Sequence, residues 1–170
     1  MTIRILGAVL ILVGCSTFGF LLSATSKRET ATLKSFIESM DIMECELRYR
    51  RPPLPQLCGY LAASQSGIIQ TYFSYLQSEL LQQIQPSASA CADLALNRMS
   101  QMPKHTKVII QQFAKFLGEF DIDGQLTGIQ AVRNEAVLQL KQLSRDQDLR
   151  IKNYRTLGVC AGAAIIILFI

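Results

Sequence analysis

Apolar residues follow two different patterns along this chain. Residues 5–26 and 156–170 are rich in apolar side chains and contain no Asp, Glu, Lys or Arg. Between them, apolar residues recur every three or four positions, the period of a helix that buries one stripe. Leu33, Phe36, Ile37, Met40, Met43 and Leu47 predict a helix over 30–50, capped by Thr30 or Thr32 and stopped by Pro52, Pro53 and Pro55, which lack the amide donor. A short helix over 55–64 turns Leu57, Tyr60 and Leu61 inward. After Gly67, a helix over 68–84 carries Ile69, Tyr72, Phe73, Leu76, Leu80 and Ile84. Ser89 caps a helix reaching Met102, and Pro103 takes the first position of the next one. That helix presents Ile109, Phe113, Phe116, Leu117 and Phe120. Asp121 or Asp123 caps the last and longest helix, with Leu126, Ile129, Val132, Ala136, Val137, Leu140 and Leu143 on one face. No proline interrupts 125–157, so this helix is expected to run on into the second apolar run as a rod of over 40 residues. No stretch has the two-residue period of a strand. The expected fold is all-α: an antiparallel bundle of five to six helices over 27–155, between a transmembrane helix over 1–26 and a short transmembrane segment over 156–170.

The lengths bear on that plan. The first run has 22 uncharged residues, and roughly 20 helical residues cross a hydrocarbon core of about 30 Å. The second has 15 and spans only about 22 Å as a helix, so it crosses only if Lys152 and Arg155 snorkel and the bilayer thins locally. Cations near membrane segments set their orientation. Lys27, Arg28, Lys34, Arg145, Arg150, Lys152 and Arg155 lie on the domain side, and only Arg4 on the other. That asymmetry places the domain in the cytoplasm.

Leu12-Val13-Gly14-Cys15 is the competing signal, because it matches a bacterial lipobox. A lipoprotein would be cut before Cys15 and held outside the cytoplasm as a binding module. However, a secretory apolar core is about 7–15 residues long, and here the apolar run continues past Cys15 to Ala24. The uncleaved anchor is the better reading.

Composition closes off other functions. The net charge of +4 and the lack of a dense basic stripe argue against nucleic acid. The one basic cluster, Arg48-Tyr49-Arg50-Arg51, reads as a solvated helix end. The five cysteines show no CxxC spacing that would suggest zinc or redox chemistry. The single histidine, His105, is remote in sequence from Cys45, Cys58 and Cys91, and no phosphate-loop, dinucleotide, serine-hydrolase or zinc-protease motif occurs. Asp121 to Gly128 fails as a calcium loop, since the twelfth position is Val132 rather than a bidentate Glu. Glu44 and Glu46 read as a solvated face. The expectation is a protein that binds and assembles, with no catalytic residue, metal or cofactor.

Four segments give the chain a family resemblance: Arg4 to Val13, Glu44 to Leu57, Phe116 to Ile129, and the tail from Tyr154. In the second, Glu46, Tyr49, Pro53 and Leu54 are in register with an E-x-x-Y-x-x-(T)PL pattern; in the third, Leu117, Gly118, Asp121 and Gln125 match LGxSDxxxQ. With this order and spacing, the chain resembles the stage III sporulation protein AB family of endospore-forming bacteria. It departs from the pattern at Arg51-Pro52, at Phe120 in place of Ser, in having no tryptophan, and over 85–103. The resemblance implies a component of the channel between mother cell and forespore, set in the cell membrane that becomes the outer forespore membrane. The helical domain would be similar to the platform domains of type II secretion F proteins. The implied partners are the other proteins of the same operon, above all its secretion-type ATPase, stage III sporulation protein AA. Membrane lipid is a further partner, and a homo-oligomer is compatible with the pattern.

The anchor and lipoprotein readings separate by mass spectrometry of the purified protein. The expected N-terminal peptide contains residues before an unmodified Cys15; a chain beginning at a lipidated Cys15 would overturn the anchor.

Overall fold

The computed structural model describes residues 27–83, 85–118 and 121–169, with side chains up to Gln147 and at Leu149. Among these residues there are six α-helices and no strand: α1 over 27–49, α2 Leu54–Ser64, α3 Gly67–Gln82, α4 Ala88–Asn97, α5 Lys104–Ala114 and α6 Ile122–Phe169. The all-helical class predicted from periodicity is what forms. The uncharged run over 5–26 lies outside the described residues. No helix among the described residues is long and apolar enough to cross a membrane.

Several boundaries differ from the expectation. Residues 27–29 are already helical, so Thr30 and Thr32 sit inside α1 and do not cap it. The α4 cap is Ser87 rather than Ser89: its hydroxyl accepts the Ala90 N–H at 3.2 Å, starting the helix at Ala88. The same helix stops at Asn97, short of Met102. Pro103 is the residue before α5 rather than its first residue. Asp121 is confirmed as the α6 cap, its carboxylate accepting the Gly124 N–H at 3.0 Å, and α6 is one continuous helix of 48 residues. Ile84 and Phe120 fall outside the described residues.

The chain divides into two compact units. One contains residues 27–30 and 141–169, where the Thr30 hydroxyl lies 3.2 Å from the Lys27 carbonyl and 3.3 Å from Gln147 Oε1. The other, Ala31–Leu140, holds the buried core.

Within Ala31–Leu140, successive helices pack on one another, α2 on α3, α3 on α4 and α4 on α5. The apolar stripe of α1 supplies the centre. Phe36 is fully buried; its ring stacks on Phe73 of α3 at 6.3 Å and meets Phe113 of α5 edge-on at 5.4 Å. Tyr72 adds an edge contact to Phe73 at 5.2 Å. Such aromatic pairs add about 0.5–1.5 kcal/mol each beyond area burial. α1 and α6 run antiparallel, since Asp41 pairs with Arg133 and Glu44 accepts from Gln130 Nε2 at 2.6 Å. These pairs are solvent-accessible, so they fix register more than they stabilise. Gly128 lets α6 come close to Phe116, whose ring would lie 2.3 Å from any added Cβ.

Two positions depart from the apolar stripes. Tyr60, expected inward, is 51% exposed, because Leu57, Cys58, Leu61 and Ala62 take the inward face of α2. Glu79, on α3, is buried at 4% exposure. Its Oε1 lies 2.7 Å from Arg98 Nη2, close enough for an ion pair although the angle is poor for a hydrogen bond. Arg98 also lies 6.0 Å above the Tyr75 ring.

Replacing Phe36 by Ala removes the ring shared by three helices. The expected loss is roughly 3–5 kcal/mol of unfolding free energy in urea titrations, with Val108→Ala, at a half-exposed position, as the near-neutral control.

Candidate functional site

The two internal motifs are built differently. Leu117, Gly118, Asp121 and Gln125 form the turn from α5 into α6, and the fold uses each of them locally. Leu117 is buried and anchors the turn. Gly118 sits at φ +74°, where an L side chain is strained, and a Cβ there would come within 3.0 Å of Ala88 Cβ. Asp121 caps α6, and the Gln125 N–H donates the first helical hydrogen bond to the Asp121 carbonyl at 2.9 Å.

The first motif closes α1 and opens α2. The Glu46 carbonyl accepts the N–H groups of both Arg50 and Arg51 at 2.9 Å, and its carboxylate lies 3.7 Å from Arg50 Nη1. Pro53 precedes α2 in extended geometry, its carbonyl accepting the Leu57 N–H at 3.0 Å. Leu54 is the half-buried first residue of α2. Tyr49 is the exception: its side chain is 78% exposed, and no interaction of it with the described residues is seen.

Next to Tyr49 lies a residue that sequence reasoning missed. Arg51 has φ +48°, the left-handed region. Pro52 explains this, because a proline ring disfavours the right-handed helical region for the residue before it. The helix therefore ends on a left-handed residue, as many do, but with Arg in a place usually taken by Gly. The signal was a helix running into Pro-Pro with no Gly or Asn between. Arg48 is paired to Glu44 at 3.0 Å, which leaves Tyr49 and Arg51 as the exposed residues of this corner with no such use.

Register brings the two motifs to one end. The pairs Asp41 with Arg133 and Glu44 with Gln130 extrapolate to place the turn of Tyr49 opposite that of Gln125. Within Ala31–Leu140 this is the end away from Ala31 and Leu140, about 27 Å along α1 from Ala31 at 1.5 Å per residue.

The remaining candidates lie elsewhere. Lys27, Arg28, Lys34 and Arg145 are exposed, with Lys34 4.0 Å from Glu38. Arg150, Lys152 and Arg155 lie in helical backbone of α6, their side chains outside the described residues. Cys45, Cys58 and Cys91 are free thiols, Cys45 exposed and the other two buried. Burial pushes the Cys58 thiol up to about 12, so it stays protonated and unreactive at neutral pH. Among the described residues there is no group of three or more His, Cys, Asp or Glu that could hold a metal ion.

The sequence profile of stage III sporulation protein AB matches residues 4–170. A solved structure described as stage III sporulation protein AB is similar in fold, with a TM-score of 0.65 at 18% identity, over 72% of this chain and 98% of the other. No curated protein sequence matches.

A left-handed Arg costs roughly 1–2 kcal/mol, and glycine gives back part of that in chain entropy. Arg51→Gly is therefore expected to raise the urea midpoint, by about 0.5–1 kcal/mol of stability, with an unchanged denaturant slope.

Proposed function

The chain belongs to the stage III sporulation protein AB family, and from that premise we propose that it is a non-catalytic, membrane-held platform of the sporulation machinery. Two segments, 1–26 and 156–170, hold it in the mother-cell membrane, with the helical domain over 27–155 in the cytoplasm. The support for this is in the sequence: two charge-free apolar runs, and seven cations on the domain side against Arg4. The domain docks the secretion-type ATPase of the same operon, and the work of ATP hydrolysis stays with that partner.

The observation that carries docking is Tyr49. The fold leaves its ring 78% exposed, beside a strained Arg51, at the end of Ala31–Leu140 away from where the chain leaves that unit. Tyr and Arg are the residue types that most often dominate binding energy at interfaces. Strain kept at an exposed arginine, where glycine would relieve it, also fits a binding role.

A photo-crosslinking amino acid at position 49, in sporulating cells, is expected to capture the stage III sporulation protein AA ATPase, while the same probe at Glu135 on α6 does not. Equal capture at both positions, or none at 49 in cells that make the ATPase, would sink this docking site.

A further inference from the structure

Charge is distributed unevenly over the surface of Ala31–Leu140. From Pro52 to Ser78 the sequence contains no Asp, Glu, Lys, Arg or His, and from Leu80 to Ala92 it again contains none. Glu79 alone interrupts, and it is buried against Arg98. The outer stripes of α2 and α3 are therefore wholly uncharged. On α3 the exposed residues Gln70, Thr71, Ser74 and Leu81 follow the helical period, with Tyr75, which Arg98 overlies, beside them, and α2 adds Gln56 and Tyr60.

The chemistry of these residues makes the surface easy to dry. None of the six residues Gln56, Tyr60, Gln70, Thr71, Ser74 and Leu81 is an ion that has to lose its hydration. The Thr71 hydroxyl donates to the Gly67 carbonyl and the Ser74 hydroxyl to the Gln70 carbonyl, both at 3.0 Å, so neither donor needs water. Tyr60 is 51% and Leu81 65% exposed, so apolar area is available. The rest of the bundle differs, since α1, α5 and α6 carry charges along their exposed positions.

We propose that this α2–α3 face is where two copies of the chain meet. A surface without charge is best matched by another whose centre is without charge, because a partner's ion buried against it would stay unpaired. The same face on a second copy has that property. Glutamine amides are both donors and acceptors, so Gln56 and Gln70 suit self-pairing.

The size of the face sets how the pairing is observed. α3 has 16 residues and is about 24 Å long. With a neighbouring helix roughly 10 Å away, the face offers roughly 500 Å² per copy in projection, below the ~800 Å² per partner of a standard stable interface. Pairing is thus weak in dilute solution and strong where copies are concentrated in one membrane; that second clause rests on the membrane reading above.

The test uses the full chain in its native membranes, with Cys15, Cys45 and Cys160 replaced by Ala and a single Ser74→Cys added. A bis-maleimide is expected to give a covalent dimer, and Gln70→Lys in the same chain to reduce it at least fivefold. Glu135→Cys in place of Ser74→Cys is expected to give none. No dimer from Ser74→Cys, an equal yield from Glu135→Cys, or a dimer indifferent to Gln70→Lys would overturn the pairing. Fractionation of the same cells reports on the membrane reading separately: a chain recovered in the soluble fraction counts against the anchor, whereas the crosslink yield speaks to the α2–α3 face.

Discussion

The structure turns on one aromatic side chain and the helix that carries it. Phe36 lies on the apolar stripe of α1, and its ring meets Phe73 and Phe113 from helices far apart in sequence. The helices from α2 to α5 each pack on the next in sequence. α1 ties the first part of that series to its far end. Without the stripe from Leu33 to Leu47, α3 and α5 would lose their common surface, and the short helices α2, α4 and α5 are too brief to persist alone in water.

The end of that same helix explains why the candidate docking corner exists. Pro52 prevents α1 from continuing through Arg51, and the backbone turns left-handed at an arginine. The corner gains a fixed direction, and Tyr49 is left standing in solvent. The neighbouring motif from Leu117 to Gln125 reaches the same end because α6 is antiparallel to α1, yet its residues anchor, turn and cap. Two motifs of equal appearance in sequence thus have different uses: one is mostly local architecture, and the other carries a side chain that the architecture does not consume.

Charge divides the molecule in a second way. Among the described residues, exposed ions lie on α1, α4, α5 and α6 and at helix ends, and none on the outer stripes of α2 and α3. The one acid in that region is withdrawn into the core and held by Arg98. Burying a carboxylate beside its partner is costly in desolvation, which offsets much of the attraction in the Glu79–Arg98 pair.

The sequence alone determined the helical class and most of the core, and narrowed the α6 cap to Asp121 or Asp123, because a 3.6-residue period and a carboxylate before a helix act locally. It also contained the charge-free stretch, which can be read by counting. Tertiary structure decided the rest. The Ser87 cap, the outward turn of Tyr60 and the early end of α4 depend on which neighbours fill each face. Burial of Glu79 depends on Arg98, nineteen positions away. The left-handed Arg51 is intermediate: Pro52 forbids the helix locally, but which remaining backbone region is taken depends on where α2 must go. Register between α1 and α6, and so the meeting of the two motifs at one end, is a long-range property marked by the pairs of Asp41 with Arg133 and Glu44 with Gln130. Periodicity says which face of a helix is buried; only packing says against what.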